Sequence, residues 1–101
     1  MNGVVVQRRP SETQLVFEPV LDIVGARSLY SHLNNVLAEG KSVELDASRV
    51  ERVDTAALQL LAAFCRATRD AGLTLRWRAA SPALCEAATM LGLNEMLGRP
   101  K

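Results

Sequence analysis

The apolar residues of this chain change period several times, always in the same sense: a short strand-like run, then a stripe at helical steps. Val4 to Gln7 and Gln14 to Phe17 are β-branched or alternating runs. The polar, proline-bearing segment Arg8-Arg9-Pro10-Ser11-Glu12-Thr13 between them predicts a hairpin. From Ile23 the apolar positions Ile23, Ala26, Leu29, Tyr30, Leu33, Val36 and Leu37 draw one helical face, with Asp22 as N-cap and Gly40 just past the end. Ser42 to Ala47 alternates Val43 and Leu45 with Glu44 and Asp46, the pattern of a strand. Ser48 to Val53 reads as a connection anchored by Val50 and Val53. Asp54 then caps a helix over residues 55–71, closed by Gly72, whose stripe is Ala57, Leu58, Leu61, Phe64, Cys65 and Thr68. Leu73 to Arg78 is a strand with Leu73, Leu75 and Trp77 on one face. Ser81-Pro82 pairs an N-cap with proline at the first helical position and opens a third helix to about Leu91, stopped by Gly92.

Alternating strands and helices with short connections predict an α/β fold of parallel βαβ units. The leading hairpin adds an antiparallel edge, so the expectation is a mixed sheet with about three helices, in one domain over residues 1–101. A length of 101 residues suits one core and not two.

Charge and composition narrow the function. Twelve basic against eleven acidic residues give a net charge of +1, which supplies no basic groove for nucleic acid, and aromatic residues make up only 4%. The most apolar stretch, Ala56 to Cys65, is interrupted by Gln59 and stopped by Arg66, far short of the roughly 20 residues that span a bilayer. Met1 to Val6 is too short for a signal-peptide core and runs into Arg8 and Arg9. The expected compartment is a bacterial-type cytoplasm, with Cys65 and Cys85, which lack CxxC spacing, as reduced thiols.

Catalytic groupings are scarce. His32, the one histidine, falls on the polar side of the first helix, with no serine–acid partnership around it. It and two distant cysteines do not make a metal site, and both cysteines lie on apolar helix faces. Neither GxxxxGK[ST] nor GxGxxG occurs. No cofactor, no metal and no enzymatic activity are expected.

Val53-Asp54-Thr55-Ala56-Ala57-Leu58 differs in kind. It puts an acid and a hydroxyl at the mouth of a helix, at the carboxyl edge of the sheet, where ligands and partners of α/β proteins bind. The first-turn amides there suit an anion, including a phosphate on a nearby hydroxyl. Plain capping by Asp54 is the other reading. Asp22 holds the same position before the first helix, and Asp46 ends its strand at the same edge.

From about Gln14 to Leu97 the chain resembles STAS domains. Val20-Leu21-Asp22-Ile23 is similar to their leucine–aspartate–hydrophobic entry to the first helix. Val43-Glu44-Leu45-Asp46-Ala47-Ser48-Arg49-Val50 followed by Val53-Asp54-Thr55-Ala56-Ala57-Leu58 resembles their most diagnostic signature. The resemblance implies a non-catalytic protein-binding module in bacterial signalling, of the anti-sigma-factor-antagonist type. In that type a loop serine is phosphorylated by a partner that is both kinase and anti-sigma factor. The family's acid matches Asp54 and its next residue Thr55, but the usual phosphoserine position is Ala56, which has no hydroxyl, and the glycine that usually follows is Ala57. Thr55 is then either a displaced phosphoacceptor or an unmodified contact. The loop also resembles that of STAS proteins accompanying chemotaxis and two-component systems. It is similar, too, to the small STAS subunit of lipid-asymmetry ABC transporters, which clamps onto the transport ATPase. The resemblance thus implies a partner-binding edge of Asp22, Asp46, Asp54, Thr55, Ala56 and Ala57. Its partner is a kinase or anti-sigma factor or other signalling protein, or alternatively an ABC ATPase.

Outside this edge, Arg76 and Arg78 read as solvated charge on an edge strand or as a second contact surface, and Trp77 reads as core. Met90, Leu93, Met96 and Leu97 either close the core or pair two copies.

Overall fold

The leading hairpin forms as strands β1 (Val4–Arg8) and β2 (Glu12–Phe17), paired antiparallel from Val4 opposite Phe17 to Arg8 opposite Thr13. Ladder pairing runs deeper than the polar segment implied, so the predicted six-residue connection shrinks to a tight turn around Pro10 and Ser11, closed by a bond of 2.9 Å from the Arg9 amide to the Glu12 carbonyl. The computed structural model describes residues 4–22 and 24–98.

Two further strands lie parallel to β2. β4 (Ser42–Ala47) pairs with it, and β6 (Leu75–Ala80) pairs with β4, giving a four-stranded mixed sheet in the order β1-β2-β4-β6. Leu45 sits opposite Trp77 but Asp46 opposite Ala79, so β6 carries one extra residue, Arg78, as a bulge. The last strand starts at Leu75, two residues later than its alternation predicts, and ends at Ala80.

One face of this sheet is apolar. Leu15, Phe17, Val43, Leu45 and Ala47 are buried there, with Trp77 packed against the same core. Helices α1 (Ala26–Glu39) and α2 (Thr55–Asp70) set Leu29, Leu33 and Val36, and Leu58, Leu61 and Cys65, into that core. Thr68 also belongs to the buried stripe because its hydroxyl donates to the Phe64 carbonyl one turn back, at 2.8 Å. Gly40 ends α1 in the left-handed region, at φ +70°, where its amide reaches the Leu37 carbonyl. The opposite face is polar: Gln14 Nε2 donates to Glu44 Oε1 at 2.8 Å, and the Arg76 guanidinium bridges Glu44 and Glu12 at 2.7 and 2.9 Å. Alternation puts Glu44 on this side, yet the network buries it.

Ser81 and Pro82 behave as predicted. The Ser81 hydroxyl accepts from the Leu84 amide, proline fills the first turn, and α3 runs Pro82–Met90. Beyond it the chain makes a further short helix, α4 (Asn94–Leu97), that the periodicity had not separated. Leu97 is fully buried, so this segment closes the core, while Met90 stays exposed. Trp77 Nε1 donates to the Leu97 carbonyl at 2.8 Å, and the Arg69 guanidinium donates to the carbonyls of Glu95 and Met96.

The predicted connection over residues 48–53 contains strand pairing. Arg52–Val53 (β5) forms a parallel two-stranded ladder with Val20–Leu21 (β3) just beyond the carboxyl ends of β2 and β4. The extended path through β3 also displaces the first helix. It starts at Ala26 rather than Ile23, with Gly25 in the N-cap position that Asp22 was expected to fill. Ile23 itself lies outside the described residues.

Candidate functional site at the mouth of the second helix

Three backbone bonds connect the short ladder to the site. Leu21 opposes Val53, so Asp22 and Asp54 follow one register step later on neighbouring strands. The Asp54 amide continues the ladder by donating to the Leu21 carbonyl at 2.8 Å. The Glu51 and Arg52 amides both donate to the Pro19 carbonyl, at 2.8 and 3.0 Å. Through these bonds the segments leading into α1 and α2 reach the same edge of the sheet.

Asp22 is half-buried, and its Oδ1 accepts from the Gly25 amide at 3.2 Å. It shapes the turn into α1 without capping the helix. Asp54 takes the N-cap backbone conformation of α2 (φ −80°, ψ 153°), although its side chain makes no capping bond to the first turn. Thr55 is exposed and Ala56 is half-buried. Ala57 is 1% exposed and packs into the core, so its small side chain serves helix packing rather than offering surface.

Asp46 is separated from this group. It lies one alternation beyond Glu44 on the polar face of β4, with the Arg78 guanidinium at 3.9 Å and its Oδ1 accepting from the Ser48 amide at 3.0 Å. Burial pushes the Asp46 carboxyl up, but bonds from Ser48 and the charges of Arg78 and Arg49 outweigh it and hold the group below its usual 3.8. Asp46 thus fixes the turn that leaves β4 toward β5, and supports the edge from behind. Of the six expected residues, Asp22, Asp54, Thr55 and Ala56 stand together at the helix mouth.

Two apolar residues at this end were not singled out from the sequence. Val24 is 89% exposed in the turn before α1, and Val20 on β3 is 39% exposed. Val24 had a readable signal: it is apolar, yet it falls off the helical stripe, immediately before a glycine.

Elsewhere, Cys65 is fully buried and burial pushes its thiol up to about 12, opposed weakly by the nearby Arg69 charge, so it is an inert core group. The His32 ring is 2.7 Å from the Ser28 carbonyl, a contact within its own helix. Among the described residues no three of histidine, cysteine, aspartate or glutamate gather as a metal site. No described helix is long and apolar enough to cross a membrane.

The sequence resemblance led to Asp22 and the α2 mouth at one sheet edge, and the parallel ladder that joins them is what the structure adds. The family described as "Mlab, STAS domain" matches residues 4–98. The chain belongs to the STAS domain family. Solved structures agree in fold. An anti-sigma factor antagonist from Mycobacterium paratuberculosis superposes with a TM-score of 0.73 at 22% identity, over 91% of this STAS domain and 79% of that chain. The protein described as "Crystal Structure Analysis of Mglu" gives a TM-score of 0.68, also at 22% identity, over 79% of this chain but only 20% of its own. This STAS domain therefore spans about a fifth of that larger chain. A comparison with curated proteins returns no match.

Proposed function

We propose that this STAS domain is a non-catalytic protein-interaction module of the anti-sigma-factor-antagonist type. It binds its partner through the edge formed by Asp22, Asp54, Thr55 and Ala56. The observation that carries this reading is the helix mouth itself. The β3–β5 ladder brings Asp22 beside it, Thr55 is exposed there, and the small Ala56 leaves room for a partner's backbone. Anti-sigma factor antagonists and other STAS domains are generally binding modules, and the exposed Val20 and Val24 add apolar contact area at the same end.

The residue at the family's phosphoserine position has no hydroxyl, so a serine switch does not operate at Ala56. Thr55 acts as an unmodified contact residue. A threonine followed by a small residue also supports a second reading, docking on the ATPase of a lipid-transport ABC system.

An affinity pull-down of the tagged domain from its own cell lysate, with mass spectrometry of bound proteins, separates the two. Recovery of a histidine-kinase-like anti-sigma factor or a chemotaxis component supports signalling, and the recovered Thr55 peptide is expected to carry no phosphate. Recovery of an ABC ATPase with its permease replaces the signalling reading with docking on a transporter. Phosphate on Thr55 would overturn the contact role assigned to it.

A further inference from the structure

The two edges of the four-stranded sheet are guarded differently. The β6 edge carries Arg76 and Arg78, and the bulge at Arg78 breaks its ladder geometry. Charge and bulges are the usual devices against strand addition. The opposite edge, β1, reads Val4-Val5-Val6-Gln7-Arg8, with no proline, lysine, glycine or bulge.

Which of its backbone groups face outward follows from the hairpin. The Arg9 amide donates to the Glu12 carbonyl, so these two form a hydrogen-bonded pair. Antiparallel alternation makes Gln7 with Gln14 and Val5 with Val16 the next such pairs. The N–H and C=O groups of Val4, Val6 and Arg8 therefore point away from β2. Among the described residues none of these groups enters a backbone bond outside its own hairpin.

We propose that β1 is a self-association edge: two copies of this chain pair their β1 strands antiparallel about a two-fold axis through Val6, joining two four-stranded sheets into one. The outward row is self-complementary in this register. Val6 meets Val6 at the axis, and each Val4 meets the Arg8 of the other copy. The two Arg8 side chains lie at opposite ends of the ladder, and each is neutralised by its own Glu39 at 2.8 Å, so no like charges are brought together. On the polar face the same register lays Val5, 46% exposed, against Gln7 of the other copy. A short ladder buries little area, so the association is weak and reversible, at the low end of specific interfaces. This inference stands apart from the docking role of the α2 mouth.

Sedimentation velocity from micromolar to millimolar protein, with amide hydrogen exchange at both ends of the range, tests it. A reversible monomer–dimer equilibrium is expected. Exchange at the Val4, Val6 and Arg8 amides should slow as dimer forms, while the Val5 and Gln7 amides, already bonded to β2, stay unchanged. Val6→Pro removes the central outward N–H and spares the bonds to β2, a position where edge strands accept proline. It is expected to weaken association by on the order of tenfold or more. If circular dichroism shows that variant unfolded, the exchange series on the natural sequence decides alone. A chain that stays monomeric throughout, a dimer whose Val4, Val6 and Arg8 amides exchange unaltered, or undiminished dimer in folded Val6→Pro would each overturn the proposal.

Discussion

Ala56→Arg is the substitution that most directly tests the helix-mouth interface, because the structure separates its effect on folding from its effect on binding. Ala56 occupies the first turn of α2 and is only half-buried, so an arginine side chain can extend into solvent. Exchanging alanine for arginine costs a few tenths of a kcal/mol in helix propensity. A cation in the first turn opposes the helix dipole by about 0.3–1 kcal/mol. The folding cost is therefore about 1 kcal/mol, a small part of the 5–15 kcal/mol typical of a domain. At an interface that needs close backbone approach, the same side chain sits where the partner must be. Overpacking and the burial of an unpaired charge together cost about 3 kcal/mol or more, or about 100-fold in affinity. Denaturant midpoints and titration against the partner recovered by pull-down measure both quantities. Ala38→Arg, on the exposed last turn of α1 at the other end of the helix layer, is the control and should leave affinity unchanged. Ala57→Arg, in the fully packed neighbour, is expected to unfold the domain. A folded Ala56→Arg protein that binds with undiminished affinity refutes the assignment of this edge.

Three further outcomes follow from individual contacts. The Cys65 thiol, raised to about 12 by burial, should resist alkylation at about pH 8 until denaturant is added, while partly exposed Cys85 reacts in the native state; mass-resolved labelling distinguishes the two. Asp46 has its folded pKa depressed, so its contribution to stability is complete above the usual value of 3.8 and is lost as pH falls through the lower folded value. Asp46→Asn should flatten the acid limb of a stability–pH profile and leave the slope above about pH 5 unchanged. Gly98 adopts φ +69°, and a Cβ there would collide with the Arg69 guanidinium that holds α4. Gly98→Ala is expected to cost about 1–2 kcal/mol and to loosen the bond from Trp77 to Leu97, read as a red shift in the emission of the sole tryptophan.

The order of elements was legible because each has its own period and punctuation. Gly40 and Ser81-Pro82 mark ends that the structure reproduces, and the stripe from Ala57 to Thr68 is the buried face of α2. Elements of two to four residues were not legible. β5 contributes only Arg52 and Val53, too few for any periodicity, and its pairing partner lies some thirty positions away on β3. α4 was hidden for a similar reason, since one helical turn shows no repeat and its docking rests on Arg69 and Trp77, which belong to other elements. The extra residue at Arg78 could not be seen either, because a bulge is a relation between two strands.

The same distinction explains the site. Asp54, Thr55 and Ala56 are contiguous, so their position at a helix mouth could be read directly from residue order. Asp22 and Asp46 were grouped with them by their place at strand ends, and the two fared differently. The β3–β5 ladder brings Asp22 to the mouth, whereas alternation along β4 places Asp46 on the polar face with Arg78. Its role is therefore to hold the turn that leads the chain from β4 toward β5, through its bonds from Ser48. Ala57 shows the converse. Being small suited it to a contact surface, yet in a helix the residue after a half-exposed one turns about 100° around the axis, and here that rotation carries Ala57 into the core. A partner that reads this edge consequently meets Thr55 and Ala56 on the helix, framed by the apolar Val20 and Val24.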